Sequence, residues 1–166
     1  MKTITQNIYK FNELSDDAKQ KAIQQYADIQ VDYDWWDFIL DDAKRYGLKI
    51  SEFDTYRRNI DISYEDDPQD VAMAILKDWG EGTGLYNLAE YYLGSYNELA
   101  AVYNEEDDEL SDTDDIIALN DEFLQRLGEE FLSMLISEYE WRTSDESIAE
   151  CIEANDFEFY ENGTRY

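Results

Sequence analysis

From Ile116 onward, apolar side chains recur every three or four residues, at Ile116, Leu119, Phe123, Leu127, Phe131, Leu135 and Tyr139. That spacing places them on one stripe of a helix of about thirty residues, for which Ser111 offers an N-cap. A stripe this long is hidden from water only by packing against other elements, so the chain has to build a core of helices. A second stripe precedes it at Leu85, Leu88, Tyr92, Tyr96, Leu99 and Tyr103.

Shorter signals fill in the rest. Ser15 caps a first helix with Ala18, Ala22, Tyr26 and Ile29 on its buried face and Lys19, Lys21 and Gln25 outside. A second helix is predicted from about Asp34 to Tyr46, with Trp36, Ile39, Leu40 and Ala43 inward and Gly47 ending it. Leu48 to Phe53 and Asn59 to Tyr64 read as strands, the latter alternating Ile60, Ile62 and Tyr64 with Asp61 and Ser63. Ile4, Ile8 and Tyr9 suit a short strand between Thr3 and Phe11. The only proline, Pro68, follows Asp67, which makes Asp67 the N-cap and Pro68 the first residue of a helix carrying Val71, Ile75 and Trp79. Gly80, Gly82 and Gly84 then break the chain. Thr143 with Glu146 forms a capping box for a last short helix, and Asn162-Gly163 signals a two-residue hairpin turn after Phe157 to Tyr160. The expected fold is α+β, a mostly helical bundle of five or six helices with a small antiparallel sheet, in a single acidic domain spanning 1–166.

The charge is as constraining as the periodicity. The chain has a formal net charge of −28. Residues 59–166 hold 30 carboxylates against Lys77, Arg126, Arg142 and Arg165, while residues 1–58 hold 11 against nine basic side chains. Such a field repels nucleic acid and anionic membranes and attracts basic surfaces. Acidity of this degree often accompanies disorder, but 4 Trp, 14 Tyr and 7 Phe supply the apolar surface a folded core needs. No stretch approaches the roughly 18 uninterrupted apolar residues of a membrane span, and the N-terminus has no apolar signal-peptide run. A soluble protein of the cytoplasm is expected. The lone Cys151 agrees with a reducing compartment and reads as a small buried apolar residue.

Several chemistries drop out. Without a histidine there is no His-containing zinc site, no Glu-x-x-His di-iron site and no common general base. No G-x-S-x-G, P-loop or G-x-G-x-x-G occurs, and Gly80, Gly82 and Gly84 miss those spacings. A carboxylate pair of the glycosidase kind has no diagnostic value among 41 acids. The acids around Glu105 to Asp115 do not make an EF-hand loop, because Leu110 and Ile116 fall at ligand positions and the glycine is missing. Trp35-Trp36 is flanked by Asp32, Asp34 and Asp37, which would repel the phosphates of a stacked strand; one core tryptophan beside a half-exposed one is expected. The sequence therefore points to no catalytic residue, no metal and no cofactor.

What remains is a surface for a basic partner. Between Asp78 and Gln125 there are 14 acids and no Lys or Arg, and the candidate contact residues are Glu105, Glu106, Asp107, Asp108, Glu109, Asp112, Asp114, Asp115, Asp121 and Glu122. Duplex DNA carries about one charge per 1.7 Å of axis, and a helix rising about 1.5 Å per residue offers a scaffold on which carboxylates imitate it. Exposed tyrosines beside carboxylates would suit such an interface as anchors. The bland alternative is a solvated face, although an ordinary surface mixes its signs.

Two stretches carry a resemblance. Phe11 to Lys19 with Asp32 to Phe38, and Thr143 to Glu146 with Ile152 to Phe159, are similar to a family of small acidic proteins of bacteriophages and mobile elements, mostly without assigned function. The resemblance covers about a third of the chain, implies phage origin and host-cell cytoplasm, and brings no catalytic residues. By analogy with acidic phage inhibitors, it implies an anti-CRISPR or anti-restriction protein that presents a DNA-like surface to the basic groove of a host nucleic-acid-binding protein. Two other readings stay open: an antitoxin-like or regulatory protein neutralising a basic partner, and a carboxylate-dependent hydrolase.

Overall fold

The computed structural model describes residues 6–103 and 113–166. Among them are six α-helices and two small antiparallel sheets of two strands each, an α+β arrangement dominated by helix. In chain order these are β1 (Tyr9–Lys10), α1 (Asp16–Gln25), α2 (Asp37–Arg45), β2 (Leu48–Asp54), β3 (Asn59–Tyr64), α3 (Pro68–Asp78), α4 (Gly84–Tyr103), α5 (Asp114–Arg142), α6 (Asp145–Ala154) and β4 (Glu158–Phe159). No described helix is long and apolar enough to cross a membrane. The residues group into two compact units, one from the described chain up to Trp35 together with Ser137–Tyr166, the other Trp36–Ile136.

The first unit joins the two ends of the chain. β1 pairs antiparallel with β4, Tyr9 opposite Phe159 and Lys10 opposite Glu158. Ser15 caps α1 by accepting from the Ala18 amide at 3.4 Å, and Asp16 and Asp17 complement the positive end of the helix. Ala18, Ala22 and Ile23 of α1 pack with Phe11, Leu14, Ile148, Ile152 and Phe159. Tyr26 meets Phe157 at 5.1 Å and Phe159 edge-on at 6.3 Å. Gly163 closes the C-terminal turn at φ +80, with the Ala18 carbonyl of α1 pressed against the position a Cβ would take.

The second unit is built on the long stripes. Ile116, Leu119, Phe123, Leu127, Phe131 and Leu135 of α5 are buried, each worth about 1.5–3 kcal/mol against full exposure, and Leu85, Leu88, Ala89 and Tyr92 of α4 are buried with them. β2 and β3 form a hairpin with a bulge between Ile50 and Glu52. Its Ile62 and Ile60 methyl groups come so close to Gly128 of α5 that a Cβ there would lie 3.1 and 3.4 Å from them. Asp67 accepts from the Gln69 amide at 3.0 Å with Pro68 at the first helical position of α3, as its sequence requires.

The local differences from expectation have simple causes. The α6 cap is Ser144, whose hydroxyl accepts from the Ser147 amide at 3.2 Å; Thr143 continues α5 by donating to the Tyr139 carbonyl at 2.8 Å, so the Thr143–Glu146 capping box does not form. α2 starts at Asp37 rather than Asp34, so the helical phase that turned Trp36 inward does not apply; Trp35 is buried, while Trp36 is half-exposed and meets Phe53 at 5.5 Å. Leu40 is half-buried. The turn Tyr160–Gly163 is closed by the Gly163 amide on the Tyr160 carbonyl at 2.9 Å, and only Gly163 has positive φ. Glu161 and Asn162 thus occupy its centre, a longer bulged loop in place of the two-residue turn. Cys151 is half-buried, not buried. The α4 stripe fades, with Tyr96 and Leu99 half-buried and Tyr103 exposed; the far end of the α5 stripe, Tyr139, is also exposed and lies against Trp35 at 5.6 Å. The first strand is two residues long, and the proposed Ser111 cap lies outside the described residues.

Candidate acidic docking surface

Of the sequence-derived contact residues, Glu105, Glu106, Asp107, Asp108, Glu109 and Asp112 lie outside the described residues. Asp114, Asp115, Asp121 and Glu122 are all exposed on α5. At 100° per residue, Asp114 and Asp121 fall on one line of the helix and Asp115 and Glu122 on the next, each pair seven residues or about 10 Å apart. The second line is extended by exposed Glu129, whose spacing of seven from Glu122 is legible in the sequence.

The four are not equivalent. Asp115 accepts from the Tyr103 hydroxyl at 2.7 Å, joining the end of α4 to the start of α5, and this bond raises the Tyr103 pKa. Glu122 lies 3.5 Å from Arg126, whose guanidinium also covers the Tyr91 ring at 5.5 Å. Asp114 and Asp121 have no ion pair among the described residues. Beneath them, Asn120 takes the Tyr92 hydroxyl on Oδ1 at 2.8 Å and the Tyr64 hydroxyl on its backbone carbonyl at 2.9 Å. Desolvation raises the pKa of both tyrosines, so they stay neutral donors and hold this stretch of α5 fixed.

Glu130 behaves differently. Its carboxyl is packed against Gly84 at the N-terminus of α4, the positive end of that helix, and serves the fold.

In the unit that holds α6, Glu146, Glu150 and Glu153 are exposed at successive spacings of four and three, with no Lys or Arg on the helix. Like charges so placed destabilise a helix by about 0.2–0.5 kcal/mol per pair. The same unit exposes Tyr33 and Trp141. Arg142 donates to the Tyr33 hydroxyl and to Glu138, both at 2.6 Å, leaving Tyr33 held in place beside carboxylates. These are exposed aromatic residues that composition alone could not locate.

The carboxylate spacing corrects one expectation. α5 carries eight acids in 29 residues, one per about 5 Å of axis, roughly a third of the linear density of duplex DNA. Taken alone, α5 does not reproduce the charge density of a duplex.

Among the described residues no group of three or more acids and Cys converges in a way that would hold a metal ion. Comparison of the chain with protein-family models, characterised proteins and solved structures finds no match.

Proposed function

We propose that the chain is a non-enzymatic inhibitor, of the kind phages direct against host defence, that seats its carboxylate-bearing helices in the basic groove of a nucleic-acid-binding protein such as a CRISPR effector or restriction enzyme. The observation that carries this reading is the separation of charge from core: α5 and α6 use their inner faces for packing and hold Asp114, Asp121, Glu129 and the α6 glutamates outward with no ion pair among the described residues. A basic surface supplies what they lack, and long-range attraction speeds the encounter. The sparse spacing on α5 favours groove blocking over a charge-for-charge copy of DNA. It also supports a second reading, an antitoxin-like protein that neutralises a basic partner having no nucleic-acid groove.

The two separate in competition. The wild-type chain is used to recover a partner from a bacterial lysate, and its affinity is measured with and without a duplex or guide RNA bound to that partner. Groove blocking requires the apparent Kd to rise in proportion to the nucleic acid added, and the triple reversal Asp121→Lys/Glu122→Lys/Glu129→Lys to slow association at low salt by tenfold or more. Simultaneous occupancy by nucleic acid and this protein sinks groove blocking, and an unchanged on-rate in the triple variant removes α5 from the interface.

A further inference from the structure

Among the described residues of the second unit, the one strongly basic projection is the tip of the β2–β3 hairpin. Asp54 pairs with Asn59 across the hairpin and leaves Thr55-Tyr56-Arg57-Arg58 as the loop. The tip is built rather than loose: the Asp54 carboxylate accepts the Tyr56 and Arg57 amides at 2.9 and 2.8 Å, and Arg58 is held at φ +54, a conformation that arginine rarely adopts. Tyr56 is 95% exposed and buries nothing within the chain. Arg57 reaches Asp54 only at 3.8 Å, and Arg58 has no ion pair among the described residues, in a protein with 41 carboxylates. Tyrosine and arginine are the residue types that concentrate binding energy at protein interfaces. Here they are presented together on a braced turn.

Two guanidiniums select a partner group with fixed negative oxygens, either carboxylates or phosphates. The field of the whole chain decides where those oxygens are. At −28, the protein is repelled by nucleic acid and by a second copy of itself, so the group cannot sit on a partner that is acidic overall. It has to be a local acidic spot on a partner whose surface is otherwise basic. We propose that Tyr56, Arg57 and Arg58 form a second anchor that docks on a carboxylate cluster of the same basic partner that receives the acidic face of α5. Opposite charges at two places on one interface fix its register, which a uniformly acidic surface cannot do. Proteins that cleave phosphodiesters with divalent cations combine these features, metal-binding carboxylates set within a basic groove.

This inference rests on the groove-binding reading, and the test separates the two. The probe is the partner recovered by the wild-type chain. Arg57→Glu/Arg58→Glu and, separately, Tyr56→Ala are expected to weaken binding at least tenfold, mainly through faster dissociation, while the exposed loop leaves the thermal melt unchanged. Arg57→Lys/Arg58→Lys gives a carbodiimide the primary amines it needs, and the expected product is an amide bond joining the tip to an Asp or Glu of the partner, located by mass spectrometry. Tip variants that bind like wild type overturn the inference, and if the α5 triple reversal still weakens binding the groove reading survives. If neither set of variants changes binding, both readings fall. Tip-dependent binding to a single-stranded or duplex oligonucleotide, or a tip-dependent dimer in sedimentation, would also overturn it by assigning the arginines to phosphate or to a second copy.

Discussion

Asn120→Ala tests whether the polar junction under the acidic face holds α5 in place. The change removes the Oδ1 acceptor of the Tyr92 hydroxyl but not the backbone carbonyl that takes Tyr64. Tyr92 is 1% exposed and stacked on Phe123 at 4.3 Å, so its hydroxyl is left without its acceptor in a largely dry site once the amide is gone. An orphaned buried donor costs about 1–3 kcal/mol, against which alanine returns up to about 0.7 kcal/mol as the better helix former. The net expectation is a loss of about 1–2 kcal/mol, or roughly 2–8 °C in Tm for a chain of this length. Tyr92→Phe alone should cost about 0.5–1.5 kcal/mol, since the half-exposed Asn120 amide can turn to solvent. Removing both partners should then cost about 1 kcal/mol less than the two single losses added together. Urea denaturation followed by circular dichroism gives all three values, and additivity within about 0.3 kcal/mol would refute the junction. Desolvation raises the Tyr64 and Tyr92 pKa values above the ordinary 10.0, so both remain neutral in the folded state while the unfolded chain ionises. Their contribution is present in full below pH 10 and is lost as pH rises toward the folded values. Tyr92→Phe should flatten the alkaline decline, and an unchanged slope would contradict its burial.

In the unit that contains both chain ends, Gly163→Ala forces φ +80 on a residue with a Cβ and drives that Cβ into the Ala18 carbonyl. Backbone strain of about 1–2 kcal/mol plus about 1–3 kcal/mol of overpacking predicts a loss of 2–5 kcal/mol, and a melt within 1 °C of wild type would contradict the close approach. The Tyr26 hydroxyl is buried with no hydrogen-bond partner among the described residues. Tyr26→Phe keeps the ring contacts with Phe157 and Phe159 and should leave stability unchanged or raise it by up to about 1 kcal/mol; a loss above that in the same urea assay would mean the hydroxyl has a partner.

The elements that periodicity located are those with one face turned inward along its length, buried in α5 and half-buried in β3. Six apolar positions of α5, the alternation Ile60, Ile62, Tyr64 in β3 and the Asp67-Pro68 start of α3 all stand where their spacing put them. Reading failed where several residues compete for one role. Thr143 and Ser144 are adjacent hydroxyls, and which of them caps α6 depends on where α5 stops, a tertiary outcome. Trp35 and Trp36 differ by 100° of helical phase, and the choice between them turned on a helix start three residues later than expected. For the candidate site, charge density drew attention to the acidic run and away from Glu129, Tyr33 and Trp141, whose importance is exposure, a property no local pattern encodes. The hairpin tip is inconspicuous in sequence because two arginines look ordinary there; in the structure they project from an acidic protein with only a long Arg57–Asp54 contact at 3.8 Å between them and any carboxylate among the described residues.

The cores and the charge obey separate demands. A few acids serve the fold: Asp67 caps α3, Asp54 braces the hairpin tip, Asp115 holds Tyr103, and Glu130 lies at the start of α4. Among the described residues the buried side chains are otherwise apolar apart from Ser147, whose hydroxyl accepts from Gln30 at 2.7 Å. Others make surface ion pairs, Asp156 and Glu158 with Lys10 and Asp78 with Arg45, but Asp114, Asp121, Glu150 and Glu153 have no ion pair among the described residues, and Glu150 and Glu153 sit three apart on α6 as like charges. Solubility alone needs far less, since a net charge of magnitude about 2–8 keeps a small domain dispersed. An excess several times larger, carried at a cost to helix stability and concentrated away from the N-terminal third, answers a requirement outside the fold. Attraction to a strongly basic surface is the interaction by which the proposed function would use it.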